Sequence, residues 1–75
     1  MSKLVEFGVE MIGYLKKGDV FIVKDLFPSF CWDSMSLNER KVLGMDFFRY
    51  LETNKNLNIK ILDKTILNQQ KYQKL

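Results

Sequence analysis

A chain of 75 residues, 47% hydrophobic and 28% charged, has globular composition and room for one core, so residues 1–75 are expected to form one small domain. One cysteine and no histidine exclude an internal disulfide and a Cys/His zinc site. The net charge of +3 is uneven: residues 1–54 carry seven basic and eight acidic side chains, whereas residues 55–75 carry five lysines and only Asp63.

Positive charge is therefore a property of the last third, as expected of a segment that meets phosphate or another acidic surface. A strand face kept soluble by lysine gives the same pattern. Neither a signal peptide nor a run of roughly 20 apolar residues is present, which predicts a cytoplasmic location and no membrane span.

Residues 2–17 predict a first helix, with Ser2 as its cap, Gly18 beyond its end and Lys16 and Lys17 suiting its C-terminal dipole. Its apolar arc is wide, running through Leu4, Val5, Phe7, Gly8, Val9, Met11, Ile12 and Leu15. A wide arc needs more than one neighbour, and a homodimer through Phe7 and Met11 is the alternative to burial in the chain's own core. Gly8 and Gly13 weaken the helix relative to alanine and suggest close backbone approach.

Gly18-Asp19 then makes a turn. Val20–Val23 has strand composition, and Lys24–Phe27 suits a helical turn stopped by Pro28. Ser29–Ser34 is expected to be a compact loop whose Phe30 and Trp32 plug the core, or stack on bases. Cys31, between those aromatics, is expected to be a buried, inert thiol.

Ser36 and Glu39, three apart, form a capping box and open the clearest helix in the chain. At about 100° per residue, Leu37, Leu43, Gly44, Phe47, Phe48, Tyr50 and Leu51 share a core arc. The opposite arc carries Asn38, Lys41, Met45, Arg49 and Glu52, with Val42, Asp46 and Thr53 beside them. Val42 and Met45 there are contact candidates, although single exposed apolar residues are ordinary. Arg40 turns toward the apolar side and suits an ion pair with Asp25 or Asp33.

Asn54-Lys55-Asn56 ends that helix. Leu57-Asn58-Ile59-Lys60-Ile61 alternates as a half-buried strand does, Asp63-Lys64 can turn, and Thr65–Leu75 can return, so residues 57–74 predict a β-hairpin. Its polar return segment, with Asn68, Gln69, Gln70, Lys71, Gln73 and Lys74, can donate to phosphates.

The predicted class is α+β, ordered as helix, short strand, short helix, long helix and C-terminal hairpin. That order resembles a winged helix, a helix-turn-helix variant carrying a β-hairpin wing. More narrowly, F-I-V-K-D-L-F, the following tryptophan, S-L-N-E-R-K-V-L-G-M-D-F and N-Q-Q-K-Y resemble a family of small proteins of Gram-positive bacteria and their phages known as a domain of unknown function. The likeness covers most of residues 15–75, and E-R-x-x-L-G around Glu39, Arg40, Leu43 and Gly44 is its most specific element. It implies a phage or mobile-element setting and brings no activity with it.

Catalysis lacks its parts: no histidine, no glycine-rich phosphate loop, no nucleophile with a neighbouring base and no metal-ligand spacing. The expectation is a non-enzyme without cofactor, metal or small-molecule substrate. Two binding functions are left. As a DNA-binding regulator, the chain would offer Asn38, Lys41, Met45 and Arg49 to the major groove and Lys60, Lys64 and Lys71 to phosphates. As a protein-binding accessory factor of inhibitor or anti-repressor type, it would use Val42 and Met45 amid the mixed charges of that helix, whose Glu39, Asp46 and Glu52 offset Lys41 and Arg49.

Overall fold

The computed structural model describes residues 2–75. Its elements are α1 (Lys3–Ile12), β1 (Val20–Phe21), a 3₁₀ turn at Val23–Leu26, α2 (Ser29–Asp33), α3 (Leu37–Thr53), a second 3₁₀ turn at Lys55–Leu57, β2 (Ile59–Lys64) and β3 (Gln70–Lys74). The three strands form an antiparallel sheet in the order β1-β3-β2, so the fold is α+β. The last strand of the chain lies at the centre of the sheet.

α1 begins as the sequence predicts, with the Val5 N–H donating to Ser2 Oγ at 3.2 Å. It ends five residues before Lys17. Gly13 caps it, and the following N–H groups tighten to i−3 carbonyls, Tyr14 onto Met11 and Leu15 onto Ile12. Lys16 and Lys17 therefore lie past the helix, and a distant residue supplies the cation: Lys74 Nζ donates to the Ile12 and Leu15 carbonyls, each at 2.9 Å.

The Val20–Val23 run pairs only through Val20 and Phe21, because Val23 opens the first 3₁₀ turn, where the Ile22 N–H donates to Asp25 Oδ2 at 3.0 Å. Ser29–Ser34, expected as a loop, is largely the helix α2. Phe27 is extended ahead of Pro28, as a pre-proline residue should be, and the Pro28 carbonyl then accepts the Cys31 and Trp32 N–H groups at 3.0 Å. One proline ends the first turn and starts the next.

α3 carries the expected capping box: the Glu39 N–H donates to Ser36 Oγ at 3.1 Å and the Ser36 N–H to Glu39 Oε1 at 3.0 Å. That backbone bond, with the Ser36 hydroxyl second, holds the Glu39 carboxyl below its ordinary pKa. Leu43, Phe47 and Leu51 are buried and join Val5, Ile12, Phe21, Val23, Leu26, Phe27, Met35 and Tyr72 in one core. Gly8 lets α1 approach it: a Cβ there would sit 3.1 Å from Phe47 Cε1.

Two expected core residues face solvent. Leu37 is 73% exposed because it sits in the first turn of α3, and Phe30 is 78% exposed on α2. Trp32 does pack inward, its ring 6.3 Å from Phe27. Arg40 takes no carboxylate: its Nε donates to the Trp32 carbonyl at 3.2 Å and its guanidinium lies 5.4 Å over the indole, fixing α2 onto α3. Asp25 is engaged by Ile22, and Cys31 is half-buried rather than buried.

The hairpin turns later than predicted. Asp63 and Lys64 belong to β2, and the reversal is made by residues 65–69, with Asn68 in the left-handed region at φ 65°. Tyr72, at the centre, is fully buried and stacks 5.6 Å from Phe21 while meeting Phe47 edge-on at 5.6 Å. Its hydroxyl has no hydrogen-bond partner among the described residues.

Burial pushes the Tyr72 phenol up to about 12 from its usual 10. Tyr72→Phe is expected to leave stability unchanged or raise it by about 1 kcal/mol at neutral pH, since it removes an unpaired buried oxygen. Above pH 10 the unfolded phenol releases its proton while the folded one keeps it, so stability falls as pH rises toward 12, by at most about 2–3 kcal/mol. The variant lacks that loss, and urea melts of both proteins at pH 7 and pH 11 read it. A variant clearly less stable at pH 7 would mean that the hydroxyl is bonded.

Candidate binding surface

α3 follows i, i+3, i+4 spacing on its outward face, which brings Asn38, Lys41, Val42, Met45 and Arg49 together as a strip one helix long. All five side chains are exposed, Val42 at 47% and Met45 at 55%. Arg49 is partly answered within the strip's border, its Nη1 lying 4.0 Å from Asp46 Oδ1, an exposed contact worth little energetically. On the side facing α1 the strip borders two shallow open depressions of about 410 and 300 Å³: Arg49 meets Ser2 and Tyr50 at the first, and Asn38 and Val42 meet Leu4 at the second. Among the described residues no cluster of three or more His, Cys, Asp or Glu could hold a metal ion.

The hairpin lysines are not one group. Lys60 pairs with Gln73 and Ile61 with Tyr72, so Lys60, Gln73 and Lys71 project from the face opposite the buried tyrosine. Between Ile61 and Lys64 the register slips by a β-bulge, and Lys64 pairs with Gln70. Gln70 is two residues from Tyr72, so Lys64 emerges on the other face from Lys60 and Lys71. The bulge is held by Gln70 Nε2, which donates to the Leu62 carbonyl.

The polar return segment is also less free than its composition implies. Lys74 is tied to α1 as described, Gln73 Nε2 donates to the Gly18 carbonyl at 3.1 Å, and Gln70 is bound at the bulge. Lys60 and Lys71 are the lysines whose heads share the open sheet face. Val20 shares it too, 53% exposed across from Gln73.

Tyr72 and Met35 are core residues that the sequence reading passed over. For Tyr72 a signal existed: it is the one large apolar side chain in Gln70–Lys74, at an alternate position of a polar strand. Ile66 and Leu67, which the sequence predicts within the return strand, stand in solvent at the turn.

The elements, sheet and core define a small α+β domain. A family model, the domain of unknown function DUF1413, matches residues 9–74, and the chain belongs to that family. Comparison with curated proteins and with solved structures gave no match. No helix among the described residues is long and apolar enough to cross a membrane.

Proposed function

We propose that the chain is a winged-helix-like DNA-binding regulator without catalytic activity, acting in a phage or mobile-element setting. In this reading α3 is the recognition helix and the β2-β3 hairpin is the wing. The observation that carries it is the uncovered outward face of α3, where Asn38, Lys41 and Arg49 present long polar side chains at helical spacing. The order of helices and the β1-β3-β2 sheet supports the same reading. Lys60 and Lys71 would take phosphates, and Lys64 would act separately from the other face.

Asn38, Lys41 and Arg49 suit base edges, Asn for adenine and Arg or Lys for guanine. Replacing Lys41 or Arg49 with Gln is expected to alter sequence preference, whereas replacing Lys60 or Lys71 with Gln should weaken binding to all duplexes alike and lower the salt slope by about 1 each. Competition titrations against pooled duplexes measure both. Equal effects of all four replacements on every sequence would remove α3 from base recognition.

A second reading, a protein-binding accessory factor, is favoured by the exposure of Val42 and Met45 beside Asp46 and Glu52. Truncation of Val42 or Met45 would then be the costly change and the sheet lysines would matter little, because interface energy concentrates in desolvated contacts.

A further inference from the structure

The hairpin tip holds two large aliphatic side chains where a turn normally holds small polar ones. Ile66 is 100% exposed and Leu67 76% exposed, and neither joins the core. The tip is nevertheless well built: the Thr65 N–H donates to the Gln69 carbonyl at 2.7 Å, the Asn68 N–H to the Thr65 carbonyl at 2.9 Å, and the Gln69 N–H to Thr65 Oγ1 at 3.1 Å. Asn68 takes the left-handed conformation that closes the turn. The backbone therefore holds the two aliphatic groups in water by design of the turn, not through looseness of the loop. Asn68 lies four positions before the buried Tyr72, so at about 3.3 Å per extended residue the tip reaches at most roughly 13 Å past that side chain.

Resting on the DNA-binding reading, we propose that Ile66 and Leu67 form an apolar wedge that enters the minor groove, unstacks a base step and bends the duplex. The groove is about 7.5 Å deep, within reach of a tip projecting that far. Aliphatic wedges of this kind work beside Asn or Gln side chains, which read the acceptors on the groove floor, and Asn68 and Gln69 directly follow the wedge here. Lys64 at the end of β2 supplies positive charge at the base of the tip, opposite to phosphate. A flexible pyrimidine–purine step would be the easiest to open, so the wedge would give preference at a position that α3 does not touch.

The test uses the full chain, its Ile66→Ser/Leu67→Ser double variant, and a mixed-sequence duplex of roughly 25 base pairs containing a central TA step, labelled at both ends for energy transfer. Both substitutions lie in solvent, so the variant should melt as the parent does. The parent is expected to raise the transfer efficiency on binding; the variant should bind with an unchanged salt slope and roughly tenfold or less lower affinity, without the rise. A variant that bends the duplex as the parent does, or a parent that binds without bending, overturns the wedge and leaves DNA binding standing. A parent that does not bind duplex at low salt overturns both. Parallel co-sedimentation with vesicles containing phosphatidylserine covers the other anionic surface: binding there that is lost in the variant, with no bending of DNA, assigns the tip to a membrane and overturns the wedge.

Discussion

Phe47→Ala is expected to destabilise the domain by about 3–5 kcal/mol, enough to leave so small a chain largely unfolded at ambient temperature. Phe47 has no exposed surface, meets Tyr72 edge-on at 5.6 Å, and fills the gap that Gly8 leaves between α1 and α3. Its removal takes away a ring packed among α1, α3 and β3, and the backbone on three sides cannot collapse onto the void. Circular dichroism melts read the result. A variant melting at the parent's temperature would place this face of α3 outside the core.

Lys74→Met should have the next largest effect, about 2 kcal/mol, or a fall in Tm on the order of 10 °C. The ammonium ties the centre of the sheet to the end of α1 through the Leu15 carbonyl and the Ile12 carbonyl, which it shares with the Leu15 N–H, and methionine keeps the length of the side chain while losing the charge. Lys71→Met is the control. Its head is on the open sheet face and its loss should change stability by no more than about 0.5 kcal/mol. Equal effects of the two substitutions would show that Lys74 does not cap α1.

Much of the framework was legible because it is locally encoded. Ser36 and Glu39 announce the start of α3 within one turn, and the spacing of Leu43, Phe47 and Leu51 states which side is buried. The element order and the α+β class follow from such signals taken in turn. Other features were not legible for a common reason: they depend on residues far apart in the chain. The partner of the α1 terminus is some 60 residues away, so Lys16 and Lys17 were the only cations a local reading could assign to it.

The bulge after Ile61 is a second case. The sequence places Lys60 in a strand and Lys64 in the turn, whereas β2 runs on through Lys64 and a single extra residue puts the two lysines on opposite faces. α2 was missed because five residues are too few for helical periodicity to register, and because proline was read only as a stop. The outward strip of α3 was fully legible, since exposure on a helix follows from the same periodicity that defines its core.

The most direct measurement of the central claim is the affinity of the intact chain for mixed-sequence duplex DNA as a function of salt. If Lys60, Lys64 and Lys71 meet phosphate while Lys41 and Arg49 read bases, log K should fall linearly with log salt at a slope of about −2 to −3, and a duplex selected for preference should bind more tightly at every salt concentration. Absence of binding at low ionic strength, where even non-specific attraction to a basic hairpin would register, would contradict the DNA-binding account and transfer the strip on α3 to a protein partner.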